Sequence, residues 1–147
     1  MKDSKLMSKF QICLSGFRTM KLTAVALVFA ALSFPSSAMA QSFSCAVSQG
    51  TPYCQYTGKL SRVYINDDNL MLLYLESNID LSVVSASGYG GVSGNYAAAY
   101  LTSTNPSFSE YLYSTALTAL AGDKTVSIQM RGTQSGLLKI DRIWIYK

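Results

Sequence analysis

The 147 residues include 12 Lys and Arg, 8 Asp and Glu, 3 Cys and no His, and 49% of them are hydrophobic. That length suits one compact domain, and the absence of His excludes Ser-His-Asp triads, Cys-His dyads and His-ligated metal sites. The charge is uneven: Lys2, Lys5, Lys9, Arg18 and Lys21 face only Asp3 within residues 1–40, whereas seven basic and seven acidic side chains cancel over residues 41–147. A neutral domain offers no electrostatic footprint to a phosphate backbone, so no nucleic-acid partner is expected.

The front segment reads as a targeting peptide. Met20-Lys21 precedes an apolar run from Leu22 to Phe34, and Ala38-Met39-Ala40 follows as an Ala-x-Ala cleavage site. The run is shorter than the roughly 20 apolar residues of a membrane-spanning helix. Residues 1–40 are therefore expected to be a signal-peptide region. Cleavage after Ala40 leaves a secreted or periplasmic domain over 41–147. Met20 is the expected true start, which places Cys13 in discarded sequence. The remaining pair, Cys45 and Cys54, is expected to form a disulfide, because even cysteine numbers in exported chains read that way. With Gln49-Gly50-Thr51-Pro52 between them, the bridge staples a hairpin or loop and contributes roughly 2–3 kcal/mol.

The exported part shows no linker, repeat or charge run. Gly58 to Asn66 alternates in polarity, Asn66-Asp67-Asp68-Asn69 is a turn, and Leu70 to Glu76 is apolar and aromatic, so 58–76 reads as a hairpin. Four consecutive oxygen-bearing side chains do not reproduce the alternating spacing of a calcium loop, and no metal or other cofactor is expected. Leu81 to Ser85 reads as a short strand, residues 86–95 as a Gly-rich loop, and Tyr96 to Thr102 as either strand or helix, with strand the preferred reading. Ser93 stands where GxGxxG would need its last Gly, so Gly88-Tyr89-Gly90-Gly91 is not a phosphate loop.

Pro106 followed by Ser107-x-x-Glu110 resembles a capping box and predicts a helix over 107–121. Phe108, Tyr111, Leu112, Thr115, Ala116, Ala119 and Leu120 supply its apolar stripe, and Gly122 its left-handed cap. The opposite face, Ser109, Tyr113, Ser114, Leu117 and Thr118, is uncharged, which marks Tyr113, Leu117 and Thr118 as candidate oligomer-interface residues. Val126, Ile128 and Met130 alternate along a strand, Gly132 to Gly136 reads as a turn, and Leu137 to Tyr146 is strongly β. The expected fold is mainly β with one α-helix: a small five- to six-stranded OB-like Greek-key barrel.

From Tyr111 to Ile128 the chain runs Tyr-Leu-Tyr-Ser-Thr-Ala-Leu-Thr-Ala-Leu-Ala-Gly-Asp-Lys-Thr-Val-Ser-Ile, and it closes with Ile140-Asp141-Arg142-Ile143-Trp144-Ile145. This helix–turn–strand run, best over the last 40 residues, resembles the B subunits of bacterial AB5 toxins in the subtilase-cytotoxin and pertussis-like branch. The resemblance implies an OB barrel, a pentamer with helices lining its centre, binding of sialylated glycans, and a catalytic A subunit as partner.

All ten Tyr lie after residue 40. Tyr rings stack on sugars while their hydroxyls hydrogen-bond, so Tyr89, Asn95 and Tyr96, set in the Gly/Ser/Asn loop, are the candidate glycan-binding residues. Glu76 and Asp80 form no recognisable acid/base pair, and no Ser-x-x-Lys occurs after residue 40. The expected function is non-catalytic binding, with a periplasmic inhibitor or accessory protein that binds another protein as the alternative. N-terminal sequencing and thiol titration of the exported protein are expected to give Gln41 and no free thiol.

Overall fold

The computed structural model describes residues 40–147; the signal peptide, the Met20 start and Cys13 lie outside them. Seven strands form one sheet, more than the five or six expected: β1 (Ser42–Ser48), β2 (Thr51–Gly58), β3 (Leu60–Ile65), β4 (Leu70–Leu75), β5 (Ala97–Leu101), β6 (Val126–Gln134) and β7 (Leu137–Ile145). Two helices rather than one accompany them, α1 (Leu81–Ala86) and α2 (Pro106–Ala121). The strand order is β1-β2-β6-β7-β5-β4-β3, so the hydrogen-bonded sheet is open, with β1 and β3 at its ends. Every ladder is antiparallel except β5–β7.

Local turn chemistry sets the hairpins. Gln49 and Gly50, both at positive φ, join β1 to β2 in the backbone sense that matches strand twist, and Cys45 faces Cys54 in that ladder and is disulfide-bonded to it. Asn69 takes positive φ between β3 and β4, while Asn66 Oδ1 accepts the Leu70 N–H at 3.0 Å. The last turn is narrower than expected. Ser135 and Gly136 alone turn the chain at positive φ, and Gly132 sits inside β6 at a register irregularity.

The stretch Leu81–Ser85, expected as a strand, is helical. Asp80 is its N-cap: the carboxylate accepts from Ser82 N–H at 2.8 Å and Ser82 Oγ at 2.6 Å, and these bonds lower the Asp80 pKa. Val84, buried in the core, anchors the turn, so tertiary packing overrides the β preference of Val83-Val84.

Helix α2 begins one residue early and is capped differently from the expected box. Asn105 is the N-cap, its Oδ1 accepting Phe108 N–H at 3.0 Å, because Pro106 fits the first helical position with its preset φ and missing N–H. Glu110 is exposed and the expected Ser107–Glu110 box is not the cap. At the other end Gly122 has φ −92°, and Asp123 takes the left-handed position instead. Lys124 N–H bonds Ala119 O and Asp123 N–H bonds Leu120 O, which is the Schellman arrangement. The buried stripe also differs: Ser109, Leu112, Ala116 and Ala119 are covered. Tyr111, expected in the core, is 72% exposed, and Leu120 is exposed as well. Ser109, expected on the outer face, turns inward because its Oγ has acceptors there, Thr102 O at 3.0 Å and Asn105 O at 2.9 Å.

The core gathers Cys54 and Tyr56 from β2, Met71, Leu73 and Leu75 from β4, Ala98 and Tyr100 from β5, and Val126, Ile128 and Met130 from β6. Leu138 and Ile140 of β7 join them under Leu112, Ala116 and Ala119 of α2. Only Lys59 separates β2 from β3. Its carbonyl accepts Tyr56 Oη at 3.0 Å and Glu76 N–H at 3.1 Å, and its ammonium pairs with Asp123. A Cβ on Gly58 would lie 2.7 Å from Tyr56 Cζ and closer still to its hydroxyl. Gly58→Ala is expected to destabilise by about 1–3 kcal/mol through overpacking, and Leu112→Ala by about 2–5 kcal/mol through a cavity, both read from denaturant unfolding.

Candidate binding surface

Strand alternation divides the sheet's side chains between the core and an outer face. Val63, Leu73, Ala98 and Leu138 share one inward row, so the neighbouring rows, Arg62–Tyr74–Ala97 and Tyr64–Leu72–Ala99, lie on the outside of β3, β4 and β5. Leu72, Ala97, Ala99 and Leu137 form a second small apolar cluster there, with Leu70 and Tyr74 packed against it. The loop from Gly88 to Asn95 is pinned beside this cluster, since Ser93 and Gly94 N–H both bond Gly136 O, at 2.9 and 3.0 Å.

Three side chains meet at the edge of this face. The Tyr96 ring stacks on Tyr74 with centroids 5.5 Å apart and planes 28° from parallel, and the Arg62 guanidinium carbon lies 3.8 Å from the Tyr74 centroid. Tyr96 and Tyr64 are exposed, as is Arg62, which makes no ion pair among the described residues. An unpaired guanidinium beside two aromatic faces can hold a carboxylate in a fork while a ring packs on the tyrosines.

The three loop residues singled out from the sequence part company. Asn95 and Tyr96 stay adjacent, and Asn95 O accepts Ile79 N–H at 2.8 Å, which holds the approach to β5. Tyr89 instead packs against the main core and donates its hydroxyl to Pro52 O on β2. Arg62 and Tyr74 were not singled out by sequence reading. The two-residue alternation of the 58–76 hairpin carried the signal, since it puts both on one face once the strands are in register.

Helix α2 presents a second exposed surface. Tyr113, Leu117 and Thr118, the candidate interface residues, are exposed, and Tyr111 and Leu120 join them. Glu110 is the only charged side chain of the helix. Two clefts are also present. One, of about 290 Å³, is lined by Tyr100, Asn105, Phe108, Lys139, Ile140 and Asp141, and burial raises the Tyr100 pKa there. The other, of about 340 Å³, lies beside the disulfide among Cys45, Ala46, Val47, Val83, Ala86 and Ser87. No helix among the described residues is long and apolar enough to cross a membrane.

Tyr89→Phe is expected to lower stability by about 1 kcal/mol, by leaving the Pro52 carbonyl without its hydroxyl donor. Tyr96→Ala should leave the melting temperature nearly unchanged, since this ring is exposed; thermal unfolding of both variants checks the contrast. In comparisons with protein-family models, curated proteins and solved structures, nothing matches this chain.

Proposed function

We propose that the chain is a secreted, non-catalytic binding module that recognises acidic, sialylated glycans and works as the ring-forming B-type subunit of a toxin-like complex. The observation that carries this reading is the exposed Arg62–Tyr74–Tyr96 cluster. A sialoside combines a carboxylate with a pyranose ring and hydroxyls. Arg62 is a free bidentate donor for the first, and Tyr96 offers an exposed ring and hydroxyl for the rest, backed by Tyr74. Asn95, next to Tyr96 in the chain, is the third loop residue of this reading.

An OB-like Greek-key barrel is the architecture this reading uses, and the strand order supports it. Thr51 to Ile65 is nearly continuous, pairing with β6 through its first half and with β4 through its second. Following β3-β4-β5-β7-β6 and returning to β2 therefore comes back to the same stretch of chain. In that fold the outer face of the second and third strands is a site for oligosaccharides, and here those strands are β4 and β5.

The ring-forming part rests on α2. Tyr113, Leu117 and Leu120, at i, i+4 and i+7, give it an exposed apolar stripe of the kind that a symmetric neighbour or an A subunit covers. The non-catalytic part rests on the chain having no His to act as a general base. The disulfide suits an oxidising compartment outside the cytoplasm.

Calorimetric titration with 3′-sialyllactose is expected to show binding that Arg62→Ala and Tyr96→Ala each weaken roughly tenfold. Light scattering is expected to show a pentamer that Leu117→Asp dissociates. A monomer that binds no sialoside would overturn the reading and favour the periplasmic inhibitor or accessory protein.

A further inference from the structure

The outer face of β2, β6 and β7 has a different chemistry. Val126, Ile128 and Met130 point into the core, which leaves Ser127 and Gln129 on the outside. In register they form two rows, Thr57–Ser127–Trp144 and Gln55–Gln129–Arg142. Ser127 Oγ lies 2.5 Å from Thr57 Oγ1 and 3.1 Å from Tyr146 Oη, and Gln55 Nε2 donates to it at 3.5 Å. Beside this hydroxyl chain the Trp144 side chain is 43% exposed.

Gln129 is the telling residue. It is 9% exposed, and its Oε1 has no hydrogen-bond donor. Native proteins rarely keep a buried amide oxygen unpaired, because the lost hydration costs about 1–3 kcal/mol. Its cross-strand neighbour Arg142 is exposed and drawn sideways to Asp141, Nε to Oδ2 at 3.1 Å.

We propose that this face is a second carbohydrate site, distinct from the Arg62 cluster and suited to a neutral pyranose. The indole of Trp144 stacks on the apolar C–H face of the ring. The Thr57 and Tyr146 hydroxyls, both positioned by the buried Ser127 Oγ, can donate and accept, as a polyhydroxylated ligand requires. A sugar hydroxyl reaching between Trp144 and the exposed end of Arg142 supplies the donor that Gln129 Oε1 lacks. The groups that face the ring, Trp144, Thr57 and Tyr146, are uncharged, and the guanidiniums at the border, Arg131 and Arg142, both pair with Asp141.

The chain contains a single Trp, so its fluorescence reports on this face alone. The purified protein is titrated with methyl β-galactoside, methyl β-glucoside, methyl α-mannoside and N-acetylglucosamine. At least one is expected to give a saturable shift of tryptophan emission at millimolar concentration. Gln129→Leu should weaken that affinity at least fivefold, and Arg62→Ala should leave it unchanged. Circular dichroism confirms that Gln129→Leu is folded, and Ser127→Ala serves as the second variant. No saturable shift with any of the four up to about 100 mM would overturn the proposal. So would equal affinity in the Gln129→Leu and Ser127→Ala variants. An emission shift that follows protein concentration rather than sugar would assign the face to a protein interface instead. Loss of sialoside binding in Arg62→Ala with the neutral-sugar shift intact separates this site from the one on β3–β5.

Discussion

One junction organises the sheet. Between Gly58 and Leu60 the chain leaves the β6 ladder and enters the β4 ladder, with Lys59 alone in between. The change of partner needs a residue without a side chain at Gly58, where the Tyr56 phenol fills the space a Cβ would take. That phenol then donates to Lys59 O, which also accepts Glu76 N–H from the end of β4. The Lys59 ammonium reaches Asp123 just beyond α2, and that hydrogen bond raises its pKa. Strand, neighbouring strand and helix end are thus tied to one residue. The pair with Asp123 is solvent-exposed, so its part is to fix position rather than to add much stability.

The two outer faces of the sheet follow from the same alternation that fills the core. On β3, β4 and β5 the outward residues are apolar and aromatic with one free guanidinium. On β2, β6 and β7 they are hydroxyls, amides and the Arg142 guanidinium around a lone indole. The disulfided β1–β2 hairpin and the loop after α1 meet through the Tyr89 hydroxyl on Pro52 O, which draws Tyr89 away from Tyr96. The six residues between the two tyrosines, five of them Gly, Ser or Asn, carry no information about direction, because such residues accept many backbone conformations.

Local signals decided what was legible. The hairpin turns, the disulfide and the existence of α2 rest on contacts within a few residues, and each was readable. The helix ends were misread because competing caps stood side by side. Asn105-Pro106 outranked Ser107, and Asp123 took the left-handed position beside Gly122. At α1 a β-branched pair reads as strand, but the Asp80 cap and the burial of Val84 hold it as a helix. Arg62 and Tyr74 were legible as one face of a hairpin, whereas the Tyr96 ring that completes their cluster arrives from β5 through register alone.

The sequence by itself determined a neutral, His-free, mainly β domain with a stapled first hairpin and one long helix whose outer face lacks charge. Periodicity, turn residues and cysteine parity are local or compositional properties, so they survive without coordinates. Tertiary structure alone decided the strand order, the rotation of α2 that exposes Tyr111 and buries Ser109, and the grouping of Arg62 with Tyr74 and Tyr96. Each of these depends on which distant strand supplies the next hydrogen-bond ladder. That choice is made by packing the whole core at once, and no short window of residues contains it.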